Sequence, residues 1–166
     1  MLQKKICMLG ASGVGKTRLV QRFVQSIYSE KYHSTIGVKI DKKIVEADGQ
    51  AVTMMLWDVQ GEDDEHKIRT AYLRGASGYL LVVDGTRPET LEVARTIQQR
   101  FAVDQVKIPF VLAVNKIDLI DAQVVTEKDL SFINGENAFL LKTSAKTGQG
   151  VNEAFQKLAE KMLAQK

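Results

Sequence analysis

A chain of 166 residues fits one ordinary domain with a substantial core and leaves little room for a second. Its 23 basic and 20 acidic residues nearly cancel, to a formal charge of +3, and no dense basic run is interleaved with aromatics, which argues against a nucleic-acid partner. No apolar stretch approaches the ~20 residues of a membrane span, and the single cysteine, Cys7, excludes an intrachain disulfide, so a soluble, cytoplasmic protein is expected.

Met1-Leu2-Gln3-Lys4-Lys5 leads into an apolar strand predicted at 4–9, not into a signal-peptide apolar region. Cys7, inside that strand, is expected to be buried and inert. Directly after it, Gly10-Ala11-Ser12-Gly13-Val14-Gly15-Lys16-Thr17 fills every fixed position of G-x-x-x-x-G-K-[ST], in the strand context that a phosphate-binding loop requires. The glycines let successive backbone N–H groups turn inward on a polyphosphate. Lys16 can reach the β- and γ-phosphates, and the Thr17 hydroxyl can ligate Mg²⁺. The helix that starts here adds its positive end. Such a loop by itself serves ATPases and nucleotide kinases equally well.

Further strands are predicted at 38–46 and 51–57, joined by the hairpin signal Asp48-Gly49 and hence antiparallel. Strands at 78–84, 109–115 and 138–142 alternate with helical patterns, as in Val93, Ile97 and Phe101, or Val151, Phe155, Leu158 and Met162. That is a βαβ pattern and implies a mostly parallel sheet. Pro88 and Pro109 each stand at an element start, and no repeat or linker interrupts the chain. The expected fold is α/β: a single domain over residues 1–166, with six mostly parallel strands, one antiparallel edge strand and helices on both faces. In such sheets ligands bind beyond the carboxyl ends of the strands, where each candidate motif falls.

Two of those motifs choose the base. Asn115-Lys116-Ile117-Asp118 follows one strand, and Thr143-Ser144-Ala145-Lys146 follows another. Read alone, Asn115 and Asp118 also suit an ordinary strand-end turn. Together with the phosphate loop they resemble the N-K-x-D and S-A-K motifs of Ras-superfamily small GTPases, in the family's order across almost the whole chain. Tyr72-Leu73-Arg74-Gly75-Ala76 and the Trp57 that precedes Asp58 look most like the Rab branch. The resemblance implies a P-loop G domain that binds GTP and GDP with Mg²⁺. A carboxylate accepts two hydrogen bonds at once, so Asp118 could take both N1–H and the exocyclic amine of guanine, a pair adenine does not present. By resemblance, residues 12–17 (Ser12, Gly13, Val14, Gly15, Lys16, Thr17) cradle the phosphates. Asn115 braces the loop near the base edge, and the Lys116 stem lies over the ring. The Ala145 N–H, between Ser144 and Lys146, meets guanine O6, and Tyr28 packs on the base.

Tyr32-His33-Ser34-Thr35-Ile36-Gly37 resembles the family's first switch, in which Thr35 would give its hydroxyl to Mg²⁺ and its N–H to the γ-phosphate. Trp57-Asp58-Val59-Gln60-Gly61-Glu62 matches the D-x-x-G of the second, so Asp58 should hold Mg²⁺ through water and the Gly61 N–H should meet the γ-phosphate. The catalytic set implied is Lys16, Gly61, Glu62 and Gln60. Glu62 departs from the family, most of whose members carry a water-positioning Gln there. A negative charge facing an anionic γ-phosphate predicts slow hydrolysis, although a carboxylate could instead accept a proton from water. Gln60 replaces a small alanine and would either perturb closure, substitute for the missing amide or point to solvent. Ser12 is common in Rab-like members and does not imply a disabled enzyme. Arg69 and Arg74 suit structural pairing, so a stimulating arginine would come from a partner.

The implied partners are effector proteins binding residues 32–45 and 57–75, where Lys39, Ile44 and Trp57 would lie, together with an exchange factor and an activating protein; a monomer is expected. Met162-Leu163-Ala164-Gln165-Lys166 holds no cysteine for prenylation and Leu2 is not a myristoylation glycine, so no lipid-anchor motif is read. Either a tail has been removed or the protein works without direct lipidation. Two other readings stand beside the slow GTPase. One is a GTP/GDP-binding module without hydrolysis, and the other is a phosphate-loop kinase, which would need an acceptor pocket and a different base reader.

Overall fold

The structure is a computed structural model and describes residues 2–25, 37–60, 70–133 and 138–164. Its strands are β1 (Leu2–Gly10), β2 (Gly37–Ala47), β3 (Gln50–Gln60), β4 (Ala76–Asp84), β5 (Phe110–Asn115) and β6 (Ala138–Lys142). They form one sheet in the order β2-β3-β1-β4-β5-β6. Every neighbouring pair is parallel except β2 and β3. The antiparallel strand is thus at an edge, and its hairpin turns on Asp48 and Gly49, both with positive φ (50° and 78°), as a two-residue turn of the favoured twist demands. Pro109 remains just outside β5, where its carbonyl accepts a bond from the Tyr79 N–H at 3.2 Å.

Successive residues of a strand point to opposite faces, and here both faces are covered. Ile6, Met8, Leu80, Val82, Val111 and Ala113 face one side, while Cys7, Leu9, Leu81, Val83, Leu112 and Val114 face the other. This is why the inner strands read as unbroken apolar runs. Helices α1 (Lys16–Gln25) and α3 (Val151–Ala164) close the first face, with Phe23 and Phe155 stacked at a centroid distance of 4.0 Å. Helix α2 (Pro88–Val103) closes the second with Leu91, Ala94, Ile97 and Phe101. Val93, expected in that stripe, is only half-buried at its margin. Between Phe101 and Phe110, Tyr79 makes an edge contact with one ring and a stacked contact with the other. Burial pushes its phenol well above the ordinary value despite a hydrogen bond from Gln98.

The expected alternation of strand and helix fails between β5 and β6. Among the described residues that connection holds a short 3₁₀ turn (Ile120–Ala122) and then consecutive turns through Ile133. Thr126 and Asp129 cap one another in the reciprocal manner of a helix start: the Thr126 N–H donates to Asp129 Oδ2 at 2.9 Å, and the Asp129 N–H donates to Thr126 Oγ1 at 3.3 Å. The bonds that follow span only three residues, from Leu130 to Glu127 and from Ile133 to Leu130. Leu130 thereby enters the core beside α2 without an α-helix behind it.

All parallel strands end at one edge of the sheet. Because β2 runs the opposite way, its first residue, Gly37, pairs with Gln60 at the end of β3, so the chain enters β2 and leaves β3 at that same edge.

Two expectations follow. Phe155→Ala should cost about 3–5 kcal/mol, read as a fall in the urea midpoint, because the ring is fully buried against Phe23. Burial pushes the Cys7 thiol up to about 12, against smaller opposing effects of Lys5 and Tyr72. A thiol reagent near neutral pH should therefore modify Cys7 only as fast as the protein opens, and at once in denaturant; rapid labelling of the folded protein would contradict this packing.

Candidate functional site

The loop between β1 and α1 is drawn tightly against the neighbouring strands. Gly10 and Gly15 have φ of 143° and 104°, and a Cβ would strike the Val82 carbonyl at the first and the Asn115 amide at the second. Four carbonyls of the loop are taken by side chains. Lys16 Nζ donates to Gly10 O at 2.8 Å, Arg87 Nη1 to Ser12 O at 3.3 Å, Lys116 Nζ to Gly13 O at 2.8 Å and Asn115 Nδ2 to Val14 O at 2.9 Å. In a trans peptide the following N–H points away from the carbonyl. The N–H groups of Ala11, Gly13, Val14 and Gly15 are thereby turned away from these four donors, next to the N-terminus of α1, an arrangement suited to an anion.

At the start of α1, Thr17 Oγ1 donates to Asp58 Oδ2, on β3, at 2.6 Å; Asp58 is 1% exposed. One hydroxyl and one carboxylate side by side are hard oxygen donors. They fit a Mg²⁺ ion that completes its shell with water and phosphate oxygens. Among the described residues no group of three or more His, Cys, Asp or Glu is placed to hold a metal. The hydroxyl–carboxylate pair is the kind of hard oxygen donor set that Mg²⁺ takes.

On the other side, Asn115, 2% exposed, also accepts a bond from Thr143 Oγ1 at 3.0 Å, so a single side chain joins the ends of β5 and β6 to the β1–α1 loop. Lys116 has a left-handed backbone (φ 65°), and its carbonyl is held by Gln123 Nε2 at 2.8 Å. Asp118 Oδ1 accepts from Ser144 Oγ at 2.7 Å, and that hydroxyl accepts from the Thr147 N–H at 3.1 Å. Ala145 is buried beside them, and the Lys146 carbonyl accepts from Arg22 of α1 at 3.3 Å. The structure thus gathers residues 12–17, Asp58, Asn115, Lys116, Asp118, Ser144, Ala145 and Lys146 at one edge of the sheet. Tyr28, Thr35, Gly61 and Glu62 lie outside the described residues. The backbone of Gln60 ends β3.

Sequence reasoning missed the turn between β4 and α2. Asp84, fully buried, accepts from the Thr86 N–H and hydroxyl at 2.8 and 2.7 Å, and its other oxygen stands 3.0 Å from Lys116 Nζ. Burial pushes the Asp84 carboxyl up, but the Thr86 donors and the Lys116 ammonium outweigh it and hold it below the usual carboxylate range. The Gly85 carbonyl accepts from the Val124 and Val125 N–H groups, and Arg87, paired with Glu89 at 3.0 Å, reaches Ser12. The available signal was a carboxylate closing an apolar strand at the same edge as the other motifs.

Residues 5–164 match the sequence model of the Ras family. The chain belongs to the Ras family. The Ras-related protein RabJ of Dictyostelium discoideum is 33% identical over 167 residues, an alignment covering 99% of this chain and 65% of RabJ. The Ras-related proteins RABA1e and RABF2b of Arabidopsis thaliana are 38% and 34% identical, over 91% and 97% of this chain and 70% and 82% of their own lengths. This Ras-family chain thus spans less than two thirds of RabJ. The family's nucleotides are GTP and GDP with Mg²⁺, and the oxygen donors at Thr17 and Asp58 fit that metal. The Rab-like Trp57 and Tyr72 are coupled in space: the Tyr72 hydroxyl donates to the Trp57 carbonyl, and the Lys5 ammonium lies 4.0 Å from the Trp57 ring centroid.

Asn115→Ala should leave the Val14 carbonyl and the Thr143 hydroxyl without their buried partner. A loss of about 2–4 kcal/mol in urea unfolding of the nucleotide-free protein is expected; a change under about 0.5 kcal/mol would show that the joint is dispensable.

Proposed function

We propose that this chain is a Mg²⁺-dependent guanine-nucleotide switch, a single domain over residues 1–166, that alternates between GTP- and GDP-bound forms and hydrolyses GTP slowly. The observation that carries the reading is the shared edge: an oxygen pair suited to Mg²⁺ (Thr17 and Asp58) and a carboxylate suited to a base (Asp118) flank one loop, four of whose carbonyls accept from side-chain donors. Asp118 takes N1–H and the exocyclic amine of guanine through two hydrogen bonds, with Ser144 holding the carboxylate in place. The Ala145 N–H reads O6, Lys146 completes that loop, and the Lys116 stem and Tyr28 cover the two faces of the base. Lys16 and the backbone of residues 12–17 bind the phosphates. Thr17, Thr35 and, through water, Asp58 would hold Mg²⁺, which would neutralise charge on the phosphate oxygens.

The switching contacts are the N–H groups of Thr35 and Gly61 with the γ-phosphate. Residues 32–45 and 57–75 form the partner surface in this proposal. Ile44 is 58% exposed there, and Lys39 stands 3.7 Å from Asp41. Effectors, an exchange factor and an arginine-supplying activating protein are the partners that this surface and site call for, with the chain a cytoplasmic monomer. Among the described residues no helix is long and apolar enough to cross a membrane.

Catalysis rests on positioning and charge, with Lys16 and Gly61 on the γ-phosphate and Gln60 and Glu62 beside the attacking water. A like charge costs about 1 kcal/mol at ~4 Å in water and about 4 kcal/mol near a protein surface. Glu62→Gln should therefore raise single-turnover hydrolysis of preloaded GTP about fivefold or more, over a slow wild-type rate, with Lys16→Ala as background. Glu62 itself favours a second reading, a guanine-nucleotide-binding module without turnover. GTP that stays bound and intact in wild type would select that module, and failure to retain any guanine nucleotide would overturn both.

A further inference from the structure

We propose that Asp84 is a positioning residue of the nucleotide site, one that fixes the Lys116 ammonium between the base loop and the phosphate loop. The proposal rests on the guanine-nucleotide reading and adds to it a residue from a fourth loop. Lys116 departs from the base loop with a left-handed backbone, and its stem crosses to the Gly13 carbonyl at 2.8 Å. A neutral carbonyl is a weak anchor for a long side chain that is 32% exposed. Asp84 Oδ2, 3.0 Å from the same Nζ, supplies a full charge.

That carboxylate is itself immobile. The two Thr86 donors occupy its other oxygen, and its own N–H donates to Thr90 Oγ1 at 2.9 Å, at the start of α2. With no exposed surface, Asp84 needs the ammonium as a counter-charge as much as the ammonium needs a fixed partner. A rigid end holds the lysine stem along one line, and that line runs between the loops assigned above to base and phosphates. An alternative role, merely shaping the Thr86 turn, uses only the first oxygen. Asp84→Asn separates the two, since the amide oxygen can keep the Thr86 bonds while the charge towards Lys116 is lost.

The test is release of a fluorescent GDP analogue, preloaded with Mg²⁺ onto the full chain and chased with excess GDP. It compares wild type, Asp84→Asn, Lys116→Met and the double variant, with thermal unfolding measured in parallel. Each single variant should release about tenfold faster or more, because the buried ion pair that fixes the ammonium is lost, and the double variant should be no faster than Lys116→Met alone. A wild-type rate in Asp84→Asn would overturn the proposal, as would a double variant showing the product of the two single effects. Should Asp84→Asn not fold, Thr86→Val enters the same cycle, with faster release expected only while Lys116 is present; equal acceleration in the Lys116→Met background would overturn it. Wild-type protein that retains no analogue would fail the guanine-nucleotide reading itself, whereas retention in wild type with no effect of Asp84→Asn fails this proposal alone.

Discussion

A parallel sheet has no stable form with one face in water, and that constraint organises this molecule. With β3, β1, β4, β5 and β6 running the same way, both faces of the sheet are apolar, and α1 and α3 bury one while α2 buries the other. The carboxyl ends then line up along one edge, where the ladder stops and the chain must turn. Polar backbone left there is satisfied by side chains from adjacent connections, Asn115 on Val14 and Lys116 on Gly13, and the Thr143 hydroxyl in turn holds the Asn115 amide. The site is thus a by-product of how the core is closed.

The electrostatics of that edge have one logic. Lys16, Arg87 and Lys116 place positive charge on carbonyls of the phosphate loop, while Asp58, Asp84 and Asp118 stand behind or beside them with hydroxyl partners in Thr17, Thr86 and Ser144. Each carboxylate accepts from a hydroxyl close at hand, which orients it while buried or half-buried. Such pre-orientation lowers what a charged ligand must reorganise on arrival. It also explains why a carboxylate as deep as Asp84 is tolerated inside an apolar strand end.

The Ras family to which the chain belongs uses GTP and GDP with Mg²⁺, and the oxygen donors here suit that metal. In sequence, Glu62 and Gln60 depart from the family's usual residues after Asp58. Among the described residues the connection from β5 to β6 holds only short turns, yet delivers Leu130 to the core. The Lys5 ammonium lies over the Trp57 ring and the Tyr72 hydroxyl donates to the Trp57 carbonyl, so β1 and the turn before β4 both meet β3 at Trp57.

Local rules were enough for much of this. The apolar runs of β1, β4 and β5, the Asp48-Gly49 hairpin, Pro88 at the first turn of α2 and the glycine positions of the phosphate loop each follow from the stereochemistry of a few consecutive residues. They could be read without knowing what lay opposite. The motif residues were legible for the same reason, being consecutive and of fixed chemical type. Only the tertiary structure decided that Asp84 faces Lys116, that Arg87 reaches Ser12 and that Asn115 holds Val14 from 101 residues away. Those contacts depend on strand order and register, which pair residues by position across the sheet, and no local propensity encodes them.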